Sequence, residues 1–459
     1  MSIQNQQNSN EEISRRQALK GLGCGLGYLA TSGLAAQAEK EQSSNLLLEQ
    51  APHFPPKAKR VIFLFMRGGP SQMDTFDYKP LLNKSDGKVI DKKKKTKLFG
   101  SPWKFKQHGE SGLHISELYP HVAQCADDLC LIRSMKTDSR NHPRAMPLMH
   151  TGSFAFIRPS IGSWVLYGLG SANDDLPGFI TINPSRVFGG PANFGSAFLP
   201  SSYAGARIGW EGKSLKNAKF HNVTNKKIPR TLQREQMKLL RSMNGQFITP
   251  EAQGVTDSFE LGVRMQDVAP HVMDISQESK GTLKQYGIGK KKTDNFGRQC
   301  LLARRFAEQG VRFIELGHGS WDHHQVIRKG LPKNCQGTDQ PIAALITDLK
   351  QRGLLEETLI VWGGEFGRLP YLEFGTGRGH NAEGFTFWMA GGGAKGGYSH
   401  GETDEFGYKA VKDMVHLYDL HATILHLLGL DHKKLTYRYG GRDFRLTDIH
   451  GNVVKQIVS

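Results

Sequence analysis

With 459 residues, 38% of them hydrophobic and 22% charged, the chain holds enough apolar material for one large α/β domain or two smaller ones, which excludes disorder as its default state. The formal charge of +17 is concentrated in local runs such as DKKKKTK at 91–97 and GKKK at 289–292, without aromatic-interleaved basic motifs or zinc-finger spacing. Those runs read as solvated loops, so no nucleic-acid partner is expected, although a basic surface attracts anionic substrates.

The N-terminal stretch SRRQALKGLGCGLGYLATSGLAAQAEK sets Arg15 and Arg16 before a short, glycine-rich, weakly apolar segment that closes with AQA at Ala38. This is the pattern of a twin-arginine signal peptide over 1–38. The chain is therefore expected to use the twin-arginine export machinery and to work in the periplasm or outside the cell. Ala18 stands where that motif usually carries a bulky apolar residue, and Gly21 stands where a lipid-attachment signal at Cys24 would carry leucine. The apolar stretch is too short and too rich in glycine for a comfortable span, so no transmembrane segment is expected in the mature protein. Beyond Ala38 the cysteines are Cys125, Cys130, Cys300 and Cys335, with no CxxC pair. Neither a disulfide framework nor a thiolate zinc site is expected. Residues 39–58, with their Ser, Gln and Pro, read as a linker.

From residue 59 the chain alternates short apolar runs with helical periodicity. VIFLFM at 61–66 and LCLI at 129–132 suit strands buried on both faces. The stretch 185–295 is polar and Gly/Asn-rich before it turns helical, and reads as an insertion or cap. Next, a helix through FGRQCLLARRFAEQG leads into the strand VRFIELG at 311–317. Ile342, Leu345, Ile346 and Leu349 then mark a helix that leads into TLIVWGGEFGR at 358–368. GFTFWMAGGG at 384–393 follows, and Leu417, Leu420, Ile424 and Leu427 line one face of a last helix. Helix then strand, repeated, implies right-handed crossovers and a mostly parallel sheet in one domain over 59–450, followed by a tail at 451–459.

In such sheets ligands bind at the carboxyl ends of the strands. Asp74 and Asp77 follow the first strand, His318, Asp322, His323 and His324 follow VRFIELG, Glu365 and Arg368 follow TLIVWGG, and Arg378 and His380 precede GFTFWM. Singly, each has a plainer reading: an Asp as a helix cap, WDHH as a polar turn, Glu365 as the partner of Arg368. Repetition at one end of four candidate strands points instead to a shared site. Carboxylate oxygens with imidazole nitrogens are the ligand set of zinc, manganese or iron, and two such ions bind both oxygens of an in-line displacement at phosphorus or sulfur.

The segments FLFMRGGPSQMDTFD, WDHH, IVWGGEFGR, GRGHNAEGFTFWMAGGGAKGG and DLHATILHLLGLDHKKLTYRYGGRDFRLTD resemble a family of exported bacterial proteins. It is a domain of unknown function of the DUF1501 type, grouped with the alkaline phosphatase and sulfatase superfamily. The resemblance runs over 59–450 and implies a three-layer, alkaline-phosphatase-like α/β fold with a mostly parallel central sheet. It also implies Asp74 as the metal ligand after the first strand, in competition with Asp77. Asp322 and His324, with His380 as the late histidine, would make one metal site, and His318 and His323 compete with His324. Glu365-Phe366 stands where the superfamily has Asp-His, which keeps an oxygen ligand and loses an imidazole.

NHPRAMPLMHTG at 141–152 resembles the helix that opens with the phosphatase nucleophile, and aligning the Thr-Gly ends sets His142 at that position. The nearest likeness to the C/S-x-P-x-R motif, INPSR at 182–186, begins with Ile182, so a formylglycine mechanism is not expected. Three nucleophiles remain: His142 itself, a metal-bound hydroxide with His142 as a ligand, or Ser139. The second is preferred, because histidine is a common ligand and a metal lowers the pKa of water without a hydroxyl residue. Arg67, Arg140 and Arg144 are candidate clamps for a tetrahedral anion.

The reading is thus an exported, metal-dependent hydrolase of a phosphate or sulfate ester. Asp74, Asp322, His324, Glu365 and His380 would hold one or two ions, with His142 at the reacting centre. The competing reading is a non-catalytic binding or structural protein for an anionic polysaccharide.

Overall fold

The apolar run at 61–66 becomes the middle of a nine-stranded sheet, because a strand with six successive buried residues needs covering on both faces. The computed structural model describes residues 46–459 apart from 92–95, 221–222, 224–226 and 245–248. The twin-arginine stretch 1–38 and Cys24 lie outside the described residues. The strands that matter for the site are β1 (Arg60–Met66), β2 (Leu129–Lys136), β3 (Phe179–Ile182), β4 (Ala206–Ile208), β5 (Phe313–His318), β6 (Thr358–Gly363), the hairpin β7 (Gly367–Glu373) and β8 (Gly377–Asn381), β9 (Phe385–Ala390) and β10 (Tyr398–His400). The principal helices around them are α1 (His142–Thr151), α2 (Ile161–Leu169), α3 (Asp294–Glu308), α4 (Ile327–Gln351) and α5 (Leu417–Leu427).

The sheet order is β10-β2-β9-β6-β1-β5-β3-β4, with the short strand Val415–His416 also paired to β2. Every pairing is parallel except those of β9, which runs antiparallel to both β6 and β2. The fold is therefore mixed α/β with a mostly parallel central sheet. The reversal of β9 has a local cause. The β7–β8 hairpin turns the chain back, so β9 is entered from the edge at which β6 ends, with Trp362 opposite Trp388. Those two indoles stack at 5.9 Å between centroids, and both are about 1% exposed or less. Aromatic side chains buried in this way contribute roughly 1.5–3 kcal/mol each, with about 0.5–1.5 kcal/mol more from the ring pair.

Residues 47–459 form one compact unit. The stretch before β1 runs across the surface of that unit: Gln50 N donates to Leu169 O, His53 N to Gly429 O, and Lys57 N and Ala58 N to Leu427 O. Within 185–295 the first part supplies β4 to the edge of the main sheet, while Arg230–Asn244 and Pro250–Met273 form two helices joined by the Gln233–Gln266 and Arg241–Glu260 contacts. Cys125, Cys130, Cys300 and Cys335 are free and buried. Among the described residues, no helix is long and apolar enough to cross a membrane.

Candidate functional site

The end of β1 is shaped by two glycines. Gly68 and Gly69 have φ of +117° and +76°, a region that L side chains rarely adopt, and a Cβ on Gly68 would lie 2.5 Å from Asp322 N. The bare turn lets the segment after β5 lie directly on β1, with Arg67 N bonded to His318 O and Trp321 N to Arg67 O. Gly68 N in turn donates to both oxygens of Glu365, each at 3.0 Å. Because β9 is reversed, the residues that precede it stand at the same carboxyl edge as those that follow β1, β5 and β6.

Asp322 is the centre of what collects there. Its Oδ1 accepts from Arg368 Nη2 at 2.6 Å and lies 2.9 Å from His380 Nε2 and 3.1 Å from His324 Nε2, while Oδ2 is 3.3 Å from His142 Nε2. The ligand atoms of His142, Asp322 and His380 all lie within 4.8 Å of one another. Each imidazole is anchored through its other nitrogen. His142 Nδ1 meets Glu365 Oε1 at 2.6 Å, His324 Nδ1 meets Glu373 Oε2 at 2.5 Å, and His380 Nδ1 meets the carbonyl oxygen of Arg140 at 2.7 Å. Carboxylates and carbonyls only accept, so Nδ1 carries the hydrogen in all three rings. In the neutral rings the Nε2 lone pairs consequently face Asp322 and, for His324 and His380 at 2.8 Å, each other. Lone pairs so placed repel unless a proton or a cation lies among them. An orienting acceptor behind each imidazole is the arrangement that metal-binding histidines use.

The electrostatics agree. Burial alone would raise the Asp322 carboxyl, but hydrogen bonds from His142 and His380 and the Arg368 guanidinium outweigh it and hold the group well below the carboxylate range. Burial alone would lower His142, but its bonds to Asp322 and Glu365 carry it up to about 9. Burial lowers His380 despite the bond to Asp322. Glu365 is wholly buried, which disfavours its charge, yet the His142 hydrogen bond keeps it below the usual glutamate value.

The structure brings His142, Asp322, His324 and His380 together and places the other expected residues differently. Asp74 is not in the cluster. Its two oxygens bind Arg378 Nε at 2.7 Å and Nη2 at 3.1 Å, with Ser71 Oγ at 2.6 Å, all in the buried interior. Its rival Asp77 is held by Lys79 and Thr403. Glu365 stands behind His142 as its orienting carboxylate instead of offering an oxygen to the centre. His318 is half-buried against Phe296 and accepts from Trp321 Nε1, and burial lowers both His318 and His323 to about 4. Arg67 is paired twice with Glu211, at 2.6 and 2.5 Å, so its fork is occupied. Arg140 contributes its carbonyl, Arg144 lies over the Phe154 ring, and Ser139 Oγ accepts from Asn141 N. The sequence reading did not anticipate Glu373, Glu211 or Phe188, whose ring stacks on His142 at 5.3 Å. Each lies in a segment that carries no motif of its own.

The family described as "Protein of unknown function (DUF1501)" matches residues 58–458. No curated protein matches the chain. Among solved structures it is similar to the PsFucS1 sulfatase from Pseudoalteromonas sp., at 13% identity over 86% of this chain and 72% of that one, with a TM-score of 0.36. It is similar also to the alkaline phosphatase from the Antarctic bacterium TAB5, at 11% identity over 81% and 98% of the two chains, with a TM-score of 0.34. A third is Ps i-CgsB in complex with k-i-k-neocarrahexaose, at 10% identity over 83% and 72%, with a TM-score of 0.39.

Proposed function

The chain belongs to the DUF1501 family, and from that premise we propose that it is an exported, metal-dependent hydrolase acting on a phosphate or sulfate ester at the Asp322 centre. The observation that carries this reading is the convergence of three imidazole Nε2 atoms on one carboxylate, each ring tethered from behind through Nδ1. That donor set fits a zinc, manganese or iron ion, with His142, Asp322, His324 and His380 as its holders. Bound there, such an ion supplies Lewis acidity toward an ester oxygen and lowers the pKa of water toward neutrality.

The chain's own groups prepare the site. Glu365, Glu373 and the Arg140 carbonyl fix which nitrogen of each ring faces inward. Arg368 offsets the charge of Asp322 through Oδ1, the oxygen that His324 and His380 also face. The guanidinium groups of Arg140 and Arg144 meet no carboxylate among the described residues and are exposed, so they are the available clamps for the anionic ester. Export is proposed from Arg15, Arg16 and the AQA end at Ala38 alone. A non-catalytic binding protein is the competing reading, and one observation favours it: Arg67, the arginine nearest the turn, is already paired with Glu211.

The two readings separate on metal content and turnover of protein purified without chelator, compared with Asp322→Asn. Near-stoichiometric zinc, manganese or iron, lost in the variant together with phosphate- or sulfate-ester cleavage, is the expected result. Folded protein that holds no metal and is indifferent to added ions would refute the hydrolase reading.

A further inference from the structure

Beyond the Asp322 centre, the outer strands β3 and β4 stay joined past their ends. Asn183 N donates to Ile208 O at 2.8 Å, and Glu211 N to Pro184 O at 3.0 Å. This zipper lays 184–188 beside 208–211 and sets two guanidinium groups against one indole. The Arg207 and Arg186 guanidinium carbons are 4.0 and 4.9 Å from the centroid of the Trp210 ring. Neither arginine has a carboxylate partner among the described residues. Arg207 Nη1 donates to its neighbour Gly209 O, and Arg186 is exposed. The indole face attracts both cations but neutralises neither. Burial and the proximity of Arg186 together lower the Arg207 pKa, the mark of a positive charge without a counter-ion.

The same zipper ties this cluster to the centre. Glu211, next to Trp210, holds Arg67 at the end of β1, and Phe188, two residues past Arg186, stacks on the His142 ring. The pair of arginines is thus carried by the same two segments that hold Arg67 and cover the His142 ring.

We propose that Arg186, Arg207 and Trp210 form a second anion subsite, which holds another oxyanion of an extended, multiply charged ester while the Asp322 centre takes the group to be cleaved. A planar guanidinium binds two oxygens of a sulfate or phosphate, and the indole gives a flat apolar wall for the unit that carries it. The substrate is then a polyanion, not a simple monoester. The role of this subsite in turnover rests on the hydrolase reading, but its affinity for a polyanion does not.

The test measures dissociation constants for two probes, a defined sulfated oligosaccharide and tripolyphosphate, at fixed salt. The proteins are the wild type, Arg186→Ala, Arg207→Ala and Arg186→Lys, each checked for native circular dichroism. Each alanine variant is expected to bind about tenfold more weakly, the worth of one charge-assisted hydrogen bond. Arg186→Lys, which keeps the charge and loses the fork, should fall between. Both alanine variants should keep wild-type kcat/KM on a small aryl monoester. Loss confined to one probe supports the subsite and names the source of its anion. Unchanged binding of both probes in both alanine variants overturns it. If binding depends on the arginines while no protein turns over any ester, the subsite stands and the hydrolase reading falls.

Discussion

Replacing Asp74 with asparagine leaves the buried Arg378 guanidinium without its counter-charge while keeping the side chain's volume. Both partners have fully buried side chains, with no water to take over. Breaking such a pair from one side costs about 3–5 kcal/mol, and the amide oxygen, still able to accept one bond, keeps the loss near the lower end. For a unit of this size each kcal/mol moves the midpoint of thermal unfolding by about 1 °C, so Asp74→Asn should melt about 3–4 °C below wild type. The cost does not pass through the Asp322 centre. The difference should therefore persist in excess chelator, and the variant should hold as much metal per chain as wild type. Scanning calorimetry with and without chelator, alongside elemental analysis, reads both quantities; Asp322→Asn serves as the variant expected to lose metal. An Asp74→Asn protein that keeps its melting temperature in chelator but loses its metal would refute the reasoning and return Asp74 to the ligand set.

Glu365→Gln removes the charged acceptor behind His142 and should weaken metal binding about 10–100-fold in a chelator competition, the usual worth of such an orienting group. Unchanged affinity would mean that His142 is held by other contacts. Gly68→Ala places a Cβ on the Asp322 backbone at a positive φ, so it should lower both the melting temperature and the metal content. Full metal content in that variant would show that the turn tolerates displacement. His421 is fully buried, donates through Nε2 to Met149 O, and is lowered by burial to about 4. Between about pH 4 and 6.5 the unfolded chain binds more protons there than the native one. This contribution to stability is complete above about 6.5 and is lost as pH falls toward 4, by up to about 3 kcal/mol. His421→Leu should flatten the pH dependence of stability over that interval, and an unaltered slope would place the proton elsewhere.

The strands were legible because each holds a short, wholly apolar run: VIFLFM and TLIVWG match β1 and β6 within a residue, while LCLI marks the start of β2, which continues four residues further to Lys136. The direction of β9 was not. GFTFWM reads the same in either sense, and its reversal depends on the β7–β8 hairpin, whose register sets Arg368 opposite His380. The site divides in the same way. Asp322, His324 and His380 were nameable because they border strands at the ligand-binding edge, and His142 because its segment resembles the helix that opens with the phosphatase nucleophile. Whether a nearby carboxylate faces the centre, as Asp322 does, or turns away to Arg378, as Asp74 does, depends on a partner 304 residues distant.

The sequence by itself determined the α/β alternation, the mostly parallel sheet and the edge at which carboxylates and imidazoles collect, since these follow from apolar periodicity and from where each run stops. Only the tertiary structure decided the pairings: Glu365 behind His142, Glu373 behind His324, Glu211 on Arg67, and Arg186 with Arg207 on Trp210. A hydrogen bond or ion pair acts over about 3 Å, and which groups come that close is fixed by the crossing of segments far apart in the chain, not by the residues on either side of them.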